Sequence, residues 1–280
     1  MKQIKIILAA ICFLPLAAAA QTDDSTAVEK KNEFSGSVNY QSKLHFFGRT
    51  DSLQSSGLFP ILGFQLKNGL YAQGTAVFVQ NPAQPMTYTG ASVEAGFKFP
   101  ETKNFEGNVF VSKFFYTDES ALVQSALKAQ TGVNLTYKNK ILNVNGGADL
   151  KFSDRTDVGV TVGVDHLFVK AIEGWKNAAV AAMPSATLYA GTQNFTHTYF
   201  KRENILGIPV TRQRTENVEQ FSVLAYEFSA PLVLVVGKIN GFVIPSYVMP
   251  KNLITIQDRP DLSERGSNMF YFTVGLGFRL

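Results

Sequence analysis

Phe270-Tyr271-Phe272-Thr273-Val274-Gly275-Leu276-Gly277-Phe278-Arg279-Leu280 is the stretch whose reading decides the fold. In an extended strand, successive side chains point to opposite faces. Phe270, Phe272, Val274, Leu276, Phe278 and Leu280 therefore share one wholly apolar face. Tyr271, Thr273, Gly275, Gly277 and Arg279 share the other, which is small, polar or cationic. A slip of one residue would carry Arg279 onto the apolar face, so the register is strongly specified.

The same alternation recurs upstream. Val158, Val160, Val162 and Val164 share a face with Phe168, against Asp157, Gly159, Thr161, Gly163 and Asp165. Leu142, Val144, Ala148, Leu150 and Phe152 oppose Asn143, Asn145, Asp149 and Lys151, and Ala91, Val93, Ala95, Phe97 and Phe99 oppose Ser92, Glu94, Gly96 and Lys98. Twelve strands are expected, at 34–44, 57–66, 69–80, 86–99, 105–116, 129–138, 141–151, 156–169, 178–194, 218–237, 241–249 and 267–280. Short connections such as Lys67-Asn68-Gly69 and Lys138-Asn139-Lys140 fall at one end of this count. The long polar connections 45–56, 117–128, 195–217 and 250–266 all fall at the other.

An apolar outer face, an even strand number and a long-short loop rhythm, ending in the 270–280 strand, resemble a bacterial outer-membrane β-barrel. The resemblance implies an all-β, transmembrane, up-and-down antiparallel barrel of about 12 strands over 33–280. It also implies contact with outer-membrane lipids and handling by the barrel-assembly machinery through the C-terminal strand. A soluble β-sandwich also alternates, but it accounts for neither the closing strand nor the loop rhythm.

The N-terminus points to the same compartment. Lys2 and Lys5 precede an apolar run from Ile6 to Leu16, followed by four alanines and then Gln21-Thr22-Asp23-Asp24. The pattern is that of a secretory signal peptide spanning 1–20, cleaved after Ala20, with 21–32 as a short periplasmic segment. The only cysteine, Cys12, leaves with it, so disulfides and thiolate chemistry are excluded from the mature chain. Loss of two lysines leaves 24 basic against 22 acidic residues, a net charge of +2 where the full chain has +4. With no basic stripe, nucleic acid is not an expected partner.

No cofactor or metal is expected, because no ligand cluster or phosphate-binding glycine loop appears. The histidines are His45, His166 and His197. Asp165 and His166 are neighbours in a strand and point to opposite faces, which separates them as a catalytic pair. His197, in Asn194-Phe195-Thr196-His197-Thr198-Tyr199, is a weak catalytic candidate for a barrel-embedded lipid hydrolase, resting on nearby hydroxyls alone.

Parity places Lys43, Lys67, Glu94, Lys98, Glu106, Asp149, Lys151, Asp157, Asp165, Glu227 and Arg279 on the lumen side, with Tyr71, Phe110, Phe114, Tyr189 and Tyr271. Mixed charges in so narrow a barrel either bridge and close it or line a small aqueous path. The leading expectation is a narrow channel or ligand-binding barrel for a small solute, its mouth narrowed by loops 195–217 and 250–266. The first of these carries Lys201, Arg202, Arg212 and Arg214, a basic set suited to anions or lipid phosphate. The alternatives are the hydrolase and a closed structural or partner-binding barrel.

Overall fold

A computed structural model describes residues 31–51, 53–117, 122, 126–175, 177–194, 220–254 and 263–280. The leader and the 21–30 stretch lie outside these residues.

The strands follow the alternation closely. They are β1 (Glu33–Gln41), β2 (Ser56–Gln65), β3 (Leu70–Asn81), β4 (Gln84–Lys98), β5 (Phe105–Tyr116), β6 (Ala129–Tyr137), β7 (Asn143–Phe152), β8 (Thr156–Asp165), β9 (Phe168–Ala171), β10 (Ala178–Ala182), β11 (Ser185–Gly191), β12 (Ser222–Ser229), β13 (Leu232–Val236), β14 (Ile239–Pro250) and β15 (Met269–Arg279). All pairings are antiparallel. β1 pairs β15 from Ser35↔Arg279 to Gln41↔Thr273, and β12 pairs both β11 and β14, so the sheet closes on itself as a 12-strand barrel. Closure leaves a free edge only at the short β9, which pairs β10 alone, and lipid would not tolerate one along the wall.

Fifteen segments make twelve spanning strands because β8 and β9, β10 and β11, and β12 and β13 are each one strand interrupted at two residues. The interruptions lie side by side. His166 N–H donates to the carbonyl of Pro184 (3.2 Å), Met183 N–H to that of Pro231 (3.0 Å) and Ala230 N–H to that of Pro245 (3.0 Å). Each proline lacks a ladder donor, and aligning the three lets their carbonyls take bonds that keep the broken strands stitched together. Pro184 thus sits at a break, and Pro245 faces one. Pro60 does not: it lies in the middle of β2, where the β2–β3 ladder passes from Leu58↔Phe78 to Ile61↔Thr75 around it.

Burial confirms the two faces. On β15, Phe270, Leu276 and Leu280 are 56%, 69% and 60% exposed, whereas Tyr271 and Thr273 are 2% exposed. Phe272, Val274 and Phe278 also point outward. Similar rows of exposed apolar residues, among them Val93, Val111, Leu135, Val162, Leu234 and Val243, run round the wall. A continuous apolar girdle of this kind suits lipid rather than water, and marks a membrane barrel. His166 is on the outer side, its ring 4.3 Å from that of Phe168 and its Nδ1 2.6 Å from the carbonyl of Ile141.

Several boundaries differ from expectation, among them β11, which ends at Gly191 rather than 194, and β12, which begins at Ser222 rather than 218. β7 begins at Asn143 rather than 141, leaving Ile141 exposed in the turn. More consequentially, β1 ends at Gln41 rather than continuing to residue 44, because the chain there turns into the barrel.

Candidate functional site

Residues 45–51, expected as the start of a polar outer loop, instead fill the lumen together with Leu44, expected as the end of the first strand. Leu44, His45, Phe46, Phe47, Arg49 and Asp51 are all buried. This strap leaves the β1 side of the barrel and crosses to the opposite wall. The His45 ring packs edge-on against Tyr271 of β15 at 4.4 Å, and Phe47 lies 5.3 Å from Tyr189 of β11. Lys151 of β7 places its ammonium 5.5 Å from the Phe47 ring, a cation–π contact. Phe46 and Phe47 join a buried cluster with Phe114, Leu224, Val248, Met269 and Tyr271. Leu44 joins a second with Phe59, Val77 and Val79.

A tight turn shapes the tip of the strap. Phe46 and Arg49 exchange both backbone hydrogen bonds (2.8 and 3.1 Å), enclosing Phe47 and Gly48 at φ of 55° and 76°. Positive φ at both central residues is the hairpin geometry that glycine and asparagine favour, and a phenylalanine held there is strained. A Cβ on Gly48 would also lie 2.9 Å from Pro250. The Gly48 N–H donates to His45 Nδ1 at 3.2 Å, so the imidazole caps its own turn.

This turn presents Arg49 to two other connections, β11–β12 and β14–β15, and to the start of β12. Its Nε donates to Glu264 Oε2 at 3.1 Å, its Nη1 to the carbonyls of Phe47 and Leu224, and its Nη2 to Gln193 Oε1 and the carbonyls of Lys251 and Asn252. Glu264 Oε2 also accepts the Ile254 N–H at 2.8 Å. Thr50 N–H bonds to the Arg265 carbonyl, and Arg49 bridges to Gly266. A fully buried guanidinium with acceptors at every nitrogen is a strong and directional lock.

Except for Lys43 and Lys67, the acidic and basic residues expected inside occupy two settings. Beside the strap they are buried and engaged. Lys151 pairs with Asp149 at 2.5 Å, and Asp149 also accepts Gln130 Nε2. Asp157 accepts the Thr192 hydroxyl and the Asn194 N–H. Glu227 accepts the Tyr271 hydroxyl at 2.7 Å.

Toward the end that carries the short turns, the wall from β3 to β8 is polar, with Tyr71, Ser112 and Asp165 buried and Glu94, Lys98, Asn108, Asn134, Asn143 and Asn145 half-buried. There Asn134 Nδ2 donates to Asn108 Oδ1, Asn108 Nδ2 to the Tyr71 hydroxyl, and Tyr71 to Glu94, which also accepts Ser112. Asn143 and Asn145 both donate to Asp165. Lys98 donates to Gln65 at 2.6 Å. At the rim, Arg279 pairs with Glu33 (3.0 Å), and Lys138 pairs with Glu106 (2.7 Å) and Glu101. Partial burial lowers the Lys138 pKa, but bonding to the two carboxylates outweighs it and the net direction is upward.

Lys43 lies just past β1, half-buried, with its carbonyl accepting Gln41 Nε2 at 2.7 Å. Lys67 lies in the exposed β2–β3 turn. His197 and the basic residues Lys201, Arg202, Arg212 and Arg214 lie outside the described residues. Of loop 250–266, the described residues Lys251, Asn252 and Glu264 hold Arg49 of the strap. Sequence reasoning missed Arg49, Glu264 and Gln193 altogether. The available signal was a pair of phenylalanines and an arginine in what was read as a polar loop.

No protein-family model and no curated protein matches this chain. Among solved structures it is similar to the KdgM porin, at 11% identity over 86% of this chain and 98% of that one, with a TM-score of 0.47. It is similar to an outer membrane channel from Pseudomonas putida F1 at 12% identity over 93% and 100%, TM-score 0.48. LpxR from Salmonella typhimurium is similar at 8% identity over 87% and 99%, TM-score 0.48. At such identity and overlap these likenesses lend the chain neither a solute nor a reaction.

Proposed function

We propose that this protein is a narrow, normally shut barrel of the bacterial outer membrane that binds or passes a small solute. The observation that carries the reading is the asymmetry of the lumen. One half is filled by a strap held through polar contacts that can be broken and remade, and the other keeps a partly exposed, amide- and carboxylate-lined wall. The leader pattern and the apolar girdle support the outer membrane as its location, with its lipids and the barrel-assembly machinery as partners. Along the inner strands Glu94, Asp149, Asp157, Asp165 and Glu227 outnumber Lys98 and Lys151, which favours neutral or cationic solutes within the barrel. The basic set Lys201, Arg202, Arg212 and Arg214 acts at the mouth instead, drawing in anionic groups or surface-lipid phosphate. Neutralising those four should shift any residual selectivity further from anions.

The test is planar-bilayer recording of the wild type against a variant with the latch removed, Arg49→Met. Small or no current in the first and a clear increase in the second support the reading. The filled outer half of the lumen also favours a permanently closed structural barrel, and that reading is supported instead if both proteins are silent.

A further inference from the structure

Resting on the reading of the strap as a closure, we propose that His45 makes that closure acid-labile, so that the strap leaves the lumen as the pH falls and the barrel opens. The geometry carries this. His45 Nδ1 accepts the Gly48 N–H and therefore bears no proton, which puts the neutral ring's proton on Nε2. Nε2 is buried with no hydrogen-bond partner. An imidazolium must donate from both nitrogens, so protonation would set Nδ1–H against the Gly48 N–H and leave a charged, unpartnered Nε2–H inside the barrel.

The bond lost is the one that caps the strained turn at Phe47 and Gly48. That same turn aims Arg49 at Glu264 and Gln193. Charging one ring therefore undermines both the turn and the latch it presents.

The surroundings do little to rescue the cation. The groups around His45 are Tyr271 of β15, against its ring, and Glu227 of β12, whose carboxylate already accepts the Tyr271 hydroxyl. Arg49 in the strap itself is a like charge, and Lys151 of β7 faces the neighbouring Phe47. Glu227, beyond Tyr271, has the sign to favour an imidazolium, as do Glu264, already engaged by Arg49, and Asp51 of the strap, whose carboxylate accepts the Leu53 and Ser55 N–H groups.

Burial pushes the His45 pKa down to about 3 from the ordinary 6.5. A histidine depressed in the closed state and ordinary in the released state stabilises closure above pH 6.5, and that stabilisation is lost as the pH falls toward 3. Between pH 7 and pH 5 the released-to-closed ratio should rise roughly twenty-five-fold by this linkage.

The experiment uses the refolded barrel in planar bilayers at pH 7 and pH 5, with three proteins: wild type, His45→Asn, whose amide oxygen can still accept the Gly48 N–H, and Arg49→Met. A parallel measurement follows strap release directly, as the rate at which a methanethiosulfonate labels Phe46→Cys, normalised to the exposed Ala83→Cys at the same pH. Expected are a rise in conductance and in labelling on acidification of the wild-type barrel, and no such rise with His45→Asn. Acid-insensitive labelling of the otherwise wild-type strap overturns the switch, as does an equal acid response in His45→Asn. Labelling that rises in acid while wild type and Arg49→Met both stay silent upholds the switch and defeats the channel reading.

Discussion

Arg49 and Glu264 stand 215 residues apart in the chain and meet at 3.1 Å, each with a side chain 2% exposed. No other described ion pair is buried so completely on both sides while joining two different loops. The pair fixes the strap of one connection to another, and packing of His45 and Phe47 against Tyr271 and Tyr189 holds the same strap to the wall.

Removing one partner should therefore cost far more than removing both. Arg49→Met leaves Glu264 buried and uncompensated, a change expected to cost about 3–5 kcal/mol of strap or fold stability. Arg49→Met with Glu264→Leu should recover most of that loss. Urea unfolding of the refolded barrel, with a double-mutant cycle, measures it, and additive losses would contradict the latch.

Depth should decide the cost of charge on the outer face of β15. Val274 lies in mid-strand and Phe278 near its end. An arginine at 274 should cost about 2–4 kcal/mol and one at 278 about 0–1 kcal/mol. Folding into vesicles reads the difference, and equal, negligible costs would remove the case for a lipid-facing strand.

Gly275 should not tolerate a side chain. A Cβ there would sit 2.4 Å from both Asn39 Oδ1 and Phe242 Cζ, and both neighbours are buried. Gly275→Val should destabilise the β1–β15 seam by about 1–3 kcal/mol through overpacking. Heat-modifiable mobility on gels gives the readout.

The wall was legible in the sequence because each strand carries its own record of which side faces lipid. Val158, Val160, Val162 and Val164 need no knowledge of their partners to be assigned. The same parity led to Asp149, Lys151, Asp157 and Glu227 on the inner side. The strap was not legible, because burial of Phe46, Phe47 and Arg49 depends on what two distant connections and the facing strands offer them. Periodicity does not encode that meeting, and neither the His45 cap nor the Gln193 acceptor has a local pattern. The alignment of Pro184, Pro231 and Pro245 was hidden for the same reason. Each reads alone as a defect, and only the register shows that they share one level.

Hydrolysis should be absent. The refolded protein is expected to leave phospholipid and lipid A intact, and His197→Ala should leave conductance unchanged. A general base contributes about 10²–10⁴-fold to a rate. Turnover lost by that margin in His197→Ala would move the protein to the enzyme reading.

The most direct test of the central claim is single-channel conductance of the barrel with and without its strap. Wild type at neutral pH should pass little or no current, because Phe46, Phe47 and Arg49 occupy the lumen. Replacing 44–51 with a short glycine-serine link should produce a stable, small conductance with a preference for cations over anions, set by the inner carboxylates. A large, unselective current in the intact protein, unchanged by that replacement, would contradict the account.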